Sequence, residues 1–132
     1  MQRHRPIRLM LTVAILSLSA AAGWAQPAGQ TFEPQVGQPG KDVVWVPTPQ
    51  ELVDIMLDMA KVTPQDYLID LGSGDGRTVI TAAKRGLRAH GIEYNPEMVS
   101  LARRNAAAAR LSDKATFVQA DLFESDFSKE IG

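Results

Sequence analysis

The chain has 132 residues, 45% of them hydrophobic and 22% charged, which is ordinary globular composition and room for one small domain at most. Cysteine is absent and the only histidines are His4 and His90, so disulfide frameworks, thiolate chemistry and histidine-rich metal sites are excluded. Net charge is −1, yet beyond Arg3, Arg5 and Arg8 the chain carries 11 basic and 15 acidic side chains, a poor balance for sequence-independent nucleic-acid binding and a better one for a basic partner.

Residues 1–25 have the three parts of an export signal: the arginines, an apolar run from Leu9 to Ala22, and small Gly23 and Ala25 before a cleavage point after Ala25. About 17 apolar residues is also the lower limit for crossing a bilayer, so an uncleaved membrane anchor through residues 9–25 is the alternative. Either way the expected location is outside the inner membrane or attached to it. Residues 26–42, rich in Gln, Pro and Gly, read as a flexible tether, and the folded domain is expected from Val43 to Gly132.

Thr48-Pro49-Gln50-Glu51 reads as a helix start with Thr48 as N-cap and Glu51 completing a capping box. Leu52, Ile55, Met56 and Met59 recur at helical spacing, which marks them as the buried face, with the methionines as core filler. Thr63-Pro64 closes this element. Strand and helix then alternate: strand 67–71 (YLIDL), a glycine turn at 72–76, and helix 77–85 closed by Gly86. Strand 89–93 follows, then a helix capped by Asn95 and running to about Arg110, strand 115–119 (ATFVQ), and a connection from Leu122. This βαβαβ order calls for an α/β fold with a parallel sheet, right-handed crossovers, and a ligand at the carboxyl ends of the strands.

The chemistry gathers at those ends. Asp70-Leu71-Gly72-Ser73-Gly74-Asp75-Gly76-Arg77 joins a strand to a helix, with glycines where a backbone must turn tightly or approach a ligand. The helix start is expected to aim unpaired N–H groups at that ligand. A dinucleotide fingerprint needs Gly-x-Gly-x-x-Gly, and Arg77 stands where its third glycine belongs, which disfavours a nicotinamide-dependent oxidoreductase. An acidic neighbourhood instead favours a cationic ligand. Glu93, ending the second strand, has the geometry to accept both hydroxyls of a ribose. Asp121 follows the third strand, and Asp70, Glu93 and Asp121 weigh more together than singly.

Asp70–Arg77 resembles motif I of the class I, seven-β-strand S-adenosylmethionine-dependent methyltransferases, and the likeness extends over about residues 43–132. It implies the N-terminal half of a Rossmann-like methyltransferase fold, preceded by a capping helix. It also implies a cofactor site of Asp70, Gly72, Ser73, Gly74, Gly76, Glu93, Tyr94, Asp121 and Leu122, with Asp70 near the methionine moiety, Asp121 accepting the adenine amino group and the Leu122 backbone against the ring. Val46-Pro47-Thr48-Pro49 and Gly91–Pro96 look most like a small group of protein lysine methyltransferases with a hydrophobic N-terminal segment, which implies a protein lysine as acceptor. No catalytic residue is assigned, because acceptor-binding groups of such folds follow the fourth strand. The expectation is therefore a truncated frame or fragment, or a sheet completed by a second chain. A non-catalytic S-adenosylmethionine- or nucleotide-binding module is the competing reading.

Overall fold

The computed structural model describes residues 31–127, so the export or anchor segment lies outside the described residues. The ordered elements are α1 (Gln50–Met59), β1 (Tyr67–Leu71), α2 (Arg77–Lys84), β2 (Arg88–Glu93), α3 (Pro96–Ala108) and β3 (Ala115–Gln119). All three strands are parallel in the order β1-β2-β3, in the α/β arrangement expected from the alternating pattern. Asp70 stands opposite Gly91, and Glu93 opposite Gln119, so the three strands end almost level.

Short side chains build the core. Leu87 just before β2, with Ala89 and Ala115 on the sheet, meets Val79, Ala82 and Ala83 of α2 and Val99, Ala102 and Ala106 of α3, all buried. Alanines at the contact let helices and sheet approach closely, and Phe117 fills the space between them. Asn95 caps α3 as expected, its side chain accepting from the N–H groups of Glu97 and Met98. Gly86, at φ 100°, ends α2 in the left-handed conformation that favours glycine.

Helix α1 differs from expectation at both its start and its face. It begins one residue later than the capping box implies: Pro49 is the N-cap, without a side-chain hydrogen bond. The Thr48 carbonyl is instead occupied, accepting from Arg77 Nη1 at 2.8 Å. The buried stripe is Val53 and Leu57, whereas Leu52, Ile55, Met56 and Met59 are exposed, Met59 by 78%. The methionines are therefore not core filler in the described chain. Alternative apolar stripes lie side by side on this helix, and long-range polar contacts select between them. Arg85 at the end of α2 bonds Asp54 at 3.1 Å and Asp58 at 2.6 Å, and Gln50 donates to Thr81 at 3.0 Å. These contacts turn the Val53–Leu57 side towards α2.

Part of the segment that reads as a tether is folded. The N–H of Gly37 donates to the Trp45 carbonyl at 2.8 Å, that of Trp45 to Gln38 at 2.9 Å, and that of Gly40 to Val43 at 3.0 Å. With an antiparallel bridge between Pro39 and Val44, these bonds make residues 35–45 a tight strap. Among the described residues no strand lies on the outer side of β1, and no helix is long and apolar enough to cross a membrane.

Candidate functional site

The strands deliver their last residues to a cleft of about 340 Å³. Gly72 follows β1, Glu93 and Tyr94 close β2, and Asp121 and Leu122 follow β3; Ile92 and Met98 complete the inner surface, and the strap supplies the opposite wall. Five of the nine expected site residues thus line one cleft. Asp70, Ser73, Gly74 and Gly76 are not among its lining residues.

The glycine loop explains that division. Most of its N–H groups are spent within the protein: those of Gly72 and Ser73 donate to the Ile92 carbonyl at 2.8 and 2.9 Å, and that of Gly76 to the Ser73 carbonyl at 2.9 Å. The Gly74 N–H donates to Glu93 Oε2 at 3.0 Å, and the Arg77 N–H to Asp75 Oδ1 at 3.3 Å. The N–H groups of the three loop glycines, of Ser73 and of Arg77 are therefore turned to partners within the protein rather than to a ligand.

Gly72 has φ 83° and open space where a Cβ would stand, so it leaves the cleft clear. Gly76, also at φ 83°, serves packing instead, because a Cβ there would sit 2.7 Å from the Phe117 ring and 2.9 Å from Ala102. Ser73 is buried, and its hydroxyl lies against Gly91 with no hydrogen-bond partner. It does not line the cleft.

The electrostatics are those of an acidic site with two of its charges already paired. Asp75 grips Arg77 through both carboxylate oxygens, Nε at 3.1 and 3.2 Å, with Nη2 adding a further contact. Asp121 pairs with Lys41 at 2.8 Å. Neither Asp70 nor Glu93 forms an ion pair among the described residues. Burial, then the charges of Glu93 and Asp75, raise the Asp70 carboxyl above its ordinary range. The Lys41 hydrogen bond, followed by the backbone N–H of Phe123, lowers that of Asp121. Glu93 accepts one backbone N–H on each oxygen, from Gly74 and from Asn95 at 2.9 Å, which fixes its orientation and leaves a lone pair on each oxygen for a diol.

Sequence reasoning missed Lys41 and Trp45. Lys41 lies 5.4 Å from the ring centre of Tyr94 and 5.7 Å from that of Phe123, and a Cβ at Gly74 would meet the Trp45 indole nitrogen at 2.7 Å. Their only signal was a tryptophan and a lysine inside a polar, glycine-rich stretch. No group of three or more potential metal ligands exists among the described residues.

Three parallel strands with helices between them, a glycine turn after the first strand and acids at successive tips form an α/β, Rossmann-like arrangement that matches the methyltransferase structures to which the chain is similar. Residues 70–130 match the family model described as the ANTKMT methyltransferase domain. The chain is 42% identical over 89 residues to a protein-lysine N-methyltransferase of Saccharolobus islandicus, which covers 66% of this chain and 55% of that protein. It is 36% identical over 85 residues to a human lysine N-methyltransferase named for a component of the ATP synthase, covering 64% of this chain and 36% of the relative. Among solved structures, an RNA methyltransferase from Salinibacter ruber in complex with S-adenosyl-L-homocysteine is 54% identical with a TM-score of 0.62, over 63% of this chain and 55% of the other. An S-adenosylmethionine-dependent methyltransferase from Geobacter sulfurreducens, also in complex with S-adenosyl-L-homocysteine, is 28% identical with a TM-score of 0.52, over 56% and 30%. The chain thus spans about half the length, or less, of these relatives.

Proposed function

We propose that the protein is an S-adenosylmethionine-dependent methyltransferase acting on protein lysine, with its cofactor in the strand-end cleft. The observation that carries this reading is Glu93. It is fixed by two backbone donors at the tip of β2 and keeps acceptor capacity facing a cleft beside a loop whose three glycine N–H groups are already bonded within the protein.

The residues present fit such a cofactor. Glu93 would hold the ribose hydroxyls, and Asp121 with Leu122 the base. Gly72 would give the backbone room for the sulfur end, and the Asp70 charge would favour its cationic groups. Tyr94 would flank the ribose and base, while Ser73, Gly74 and Gly76 would shape the loop from behind. The chemistry supplied by the cofactor is a methyl group activated on a sulfonium. The protein therefore needs mainly to align the acceptor and exclude water. A lysine acceptor must also lose its proton, which a dry site close to positive charge favours.

The lysine reading rests on the two lysine methyltransferase relatives and on the acidic balance of the chain. The RNA methyltransferase likeness names the competing acceptor. Titration with S-adenosylmethionine, followed by methyl-labelled transfer to protein, RNA and small amines, separates the possibilities. Labelled lysine is the expected product. Labelled RNA alone overturns the acceptor, and binding without any transfer indicates a binding module. Glu93→Ala should weaken cofactor binding at least about tenfold, the scale of one buried charge-assisted hydrogen-bond set; unchanged affinity in a folded variant overturns the site.

Residues 1–25 belong to the same proposal as an export signal or anchor, resting on their arginines, apolar run and small residues at 23 and 25. N-terminal sequencing of membrane and soluble fractions distinguishes cleavage from anchoring.

A further inference from the structure

Asp121 is already occupied by the chain itself. Its Oδ1 accepts the Phe123 N–H at 3.0 Å, and its Oδ2 takes the Lys41 ammonium at 2.8 Å. That ammonium is also 3.4 Å from Asp42 Oδ2 and within 6 Å of the ring centres of Tyr94 and Phe123, at 5.4 and 5.7 Å, so it stands in a small cage of two aromatic rings and two carboxylates, of which Asp121 is the nearer. Lys41, Tyr94, Asp121 and Phe123 line the cleft together with Leu122, the part that the proposed function gives to a flat base with an exocyclic amino group. Lys41 presents to Asp121 the same kind of donor that such an amino group would present. It also reaches the cage from the strap that walls the cleft, and that strap is closed by only three backbone bonds between its two arms.

We propose that Lys41 is an internal competitor for the base subsite, and that its bond to Asp121 latches the strap of residues 35–45 over the cofactor cleft. This rests on the reading of the cleft as an S-adenosylmethionine site. Entry of the adenosine end then requires Lys41 to release Asp121 and the strap to swing outward. The Lys41 side chain is 33% exposed and that of Asp121 16%, so water and salt reach the pair, and the latch is weak enough to open readily. Trp45 rides on the same strap against Gly74 and reports its movement.

The test uses the full chain and Lys41→Met, which keeps the apolar stem against Tyr94 and Phe123 while removing the charge. In ligand-free protein, hydrogen exchange at the strap amides of Gly37, Gly40 and Trp45 should be about two- to fivefold faster in K41M, the range of a partly exposed ion pair. Association of S-adenosylhomocysteine, followed by tryptophan fluorescence, should quicken by a similar factor. Added salt should bring the parent towards K41M, and in an Asp121→Ala background K41M should have no further effect. Unchanged strap exchange overturns the latch without any ligand being involved. Faster exchange with unchanged or slower association overturns the competition. A parent that binds neither S-adenosylmethionine nor S-adenosylhomocysteine, while its strap still loosens in K41M, sinks the cofactor reading, and the proposed competition with it, rather than the strap contact.

Discussion

Asp70 carries a structural cost and, in the proposed site, a functional use. Its carboxyl is raised first by burial and then by Glu93 and Asp75, so the folded state retains this proton at pH values where the unfolded chain has already released it. Stability therefore falls as pH climbs through that window, and the loss is absent at lower pH. A cationic ligand reverses the balance by neutralising the charge. Asp70→Asn should accordingly raise the melting temperature of the ligand-free protein at neutral pH by roughly 2–5 °C, the shift expected from a fraction of a kcal/mol in a small domain. It should also weaken S-adenosylmethionine binding and flatten the rise of affinity with pH. Calorimetry and titration across pH check both, and an Asn variant that is less stable but binds equally well contradicts the assignment. The same residue scale shows what local sequence conveys. Acids at positions 70, 93 and 121 were legible because each lies at or just beyond the end of a strand recognisable from its own residues. Ser73 was not, since its aim beneath the loop depends on Gly91, eighteen positions away, leaving room for its hydroxyl.

At the scale of elements, β1 and β3 occur at the bounds read from the sequence, and α2, β2 and α3 lie within two residues of theirs. Alternation, glycine turns and the Asn95-Pro96 start are local signals that need no tertiary partner. The face of α1 does need one. Its orientation is set by Arg85 on α2 and by Arg77, which ties Asp75 to the Thr48 carbonyl across 29 positions of sequence. Arg77 thus clamps the end of the glycine loop to the entry of α1. Removing it leaves the Asp75 carboxylate and the Thr48 carbonyl without their partner. Arg77→Ala should destabilise the domain by about 1–2 kcal/mol, the range of charge-assisted hydrogen bonds at a partly exposed site. Arg77→Lys should recover only part, because an ammonium lacks the planar fork. Urea unfolding measures both, and equal midpoints for parent and Ala variant refute the clamp.

Across the whole molecule, apolar surface remains uncovered. Leu52, Ile55, Met56 and Met59 on α1 are exposed, as is Leu71, and β1 is an edge strand among the described residues. Surface of this kind drives association. The 132-residue chain should self-associate at micromolar concentration, and replacing Ile55 and Met59 by Lys should reduce this with little loss of stability, since both are already solvated. Light scattering after size exclusion decides it; a monodisperse parent contradicts the expectation.

By itself the amino-acid order determined the alternation of strand and helix, the parallel α/β class, the glycine turn and the acids at three strand tips, because these follow from periodicity and turn chemistry within a few residues. Only the tertiary structure decided which stripe of α1 is buried, that the N–H groups of the loop glycines bond within the protein, and that Lys41 reaches across the cleft to Asp121. Each of those depends on a partner distant in sequence, and side-chain reach and carboxylate pairing act through space rather than along the chain.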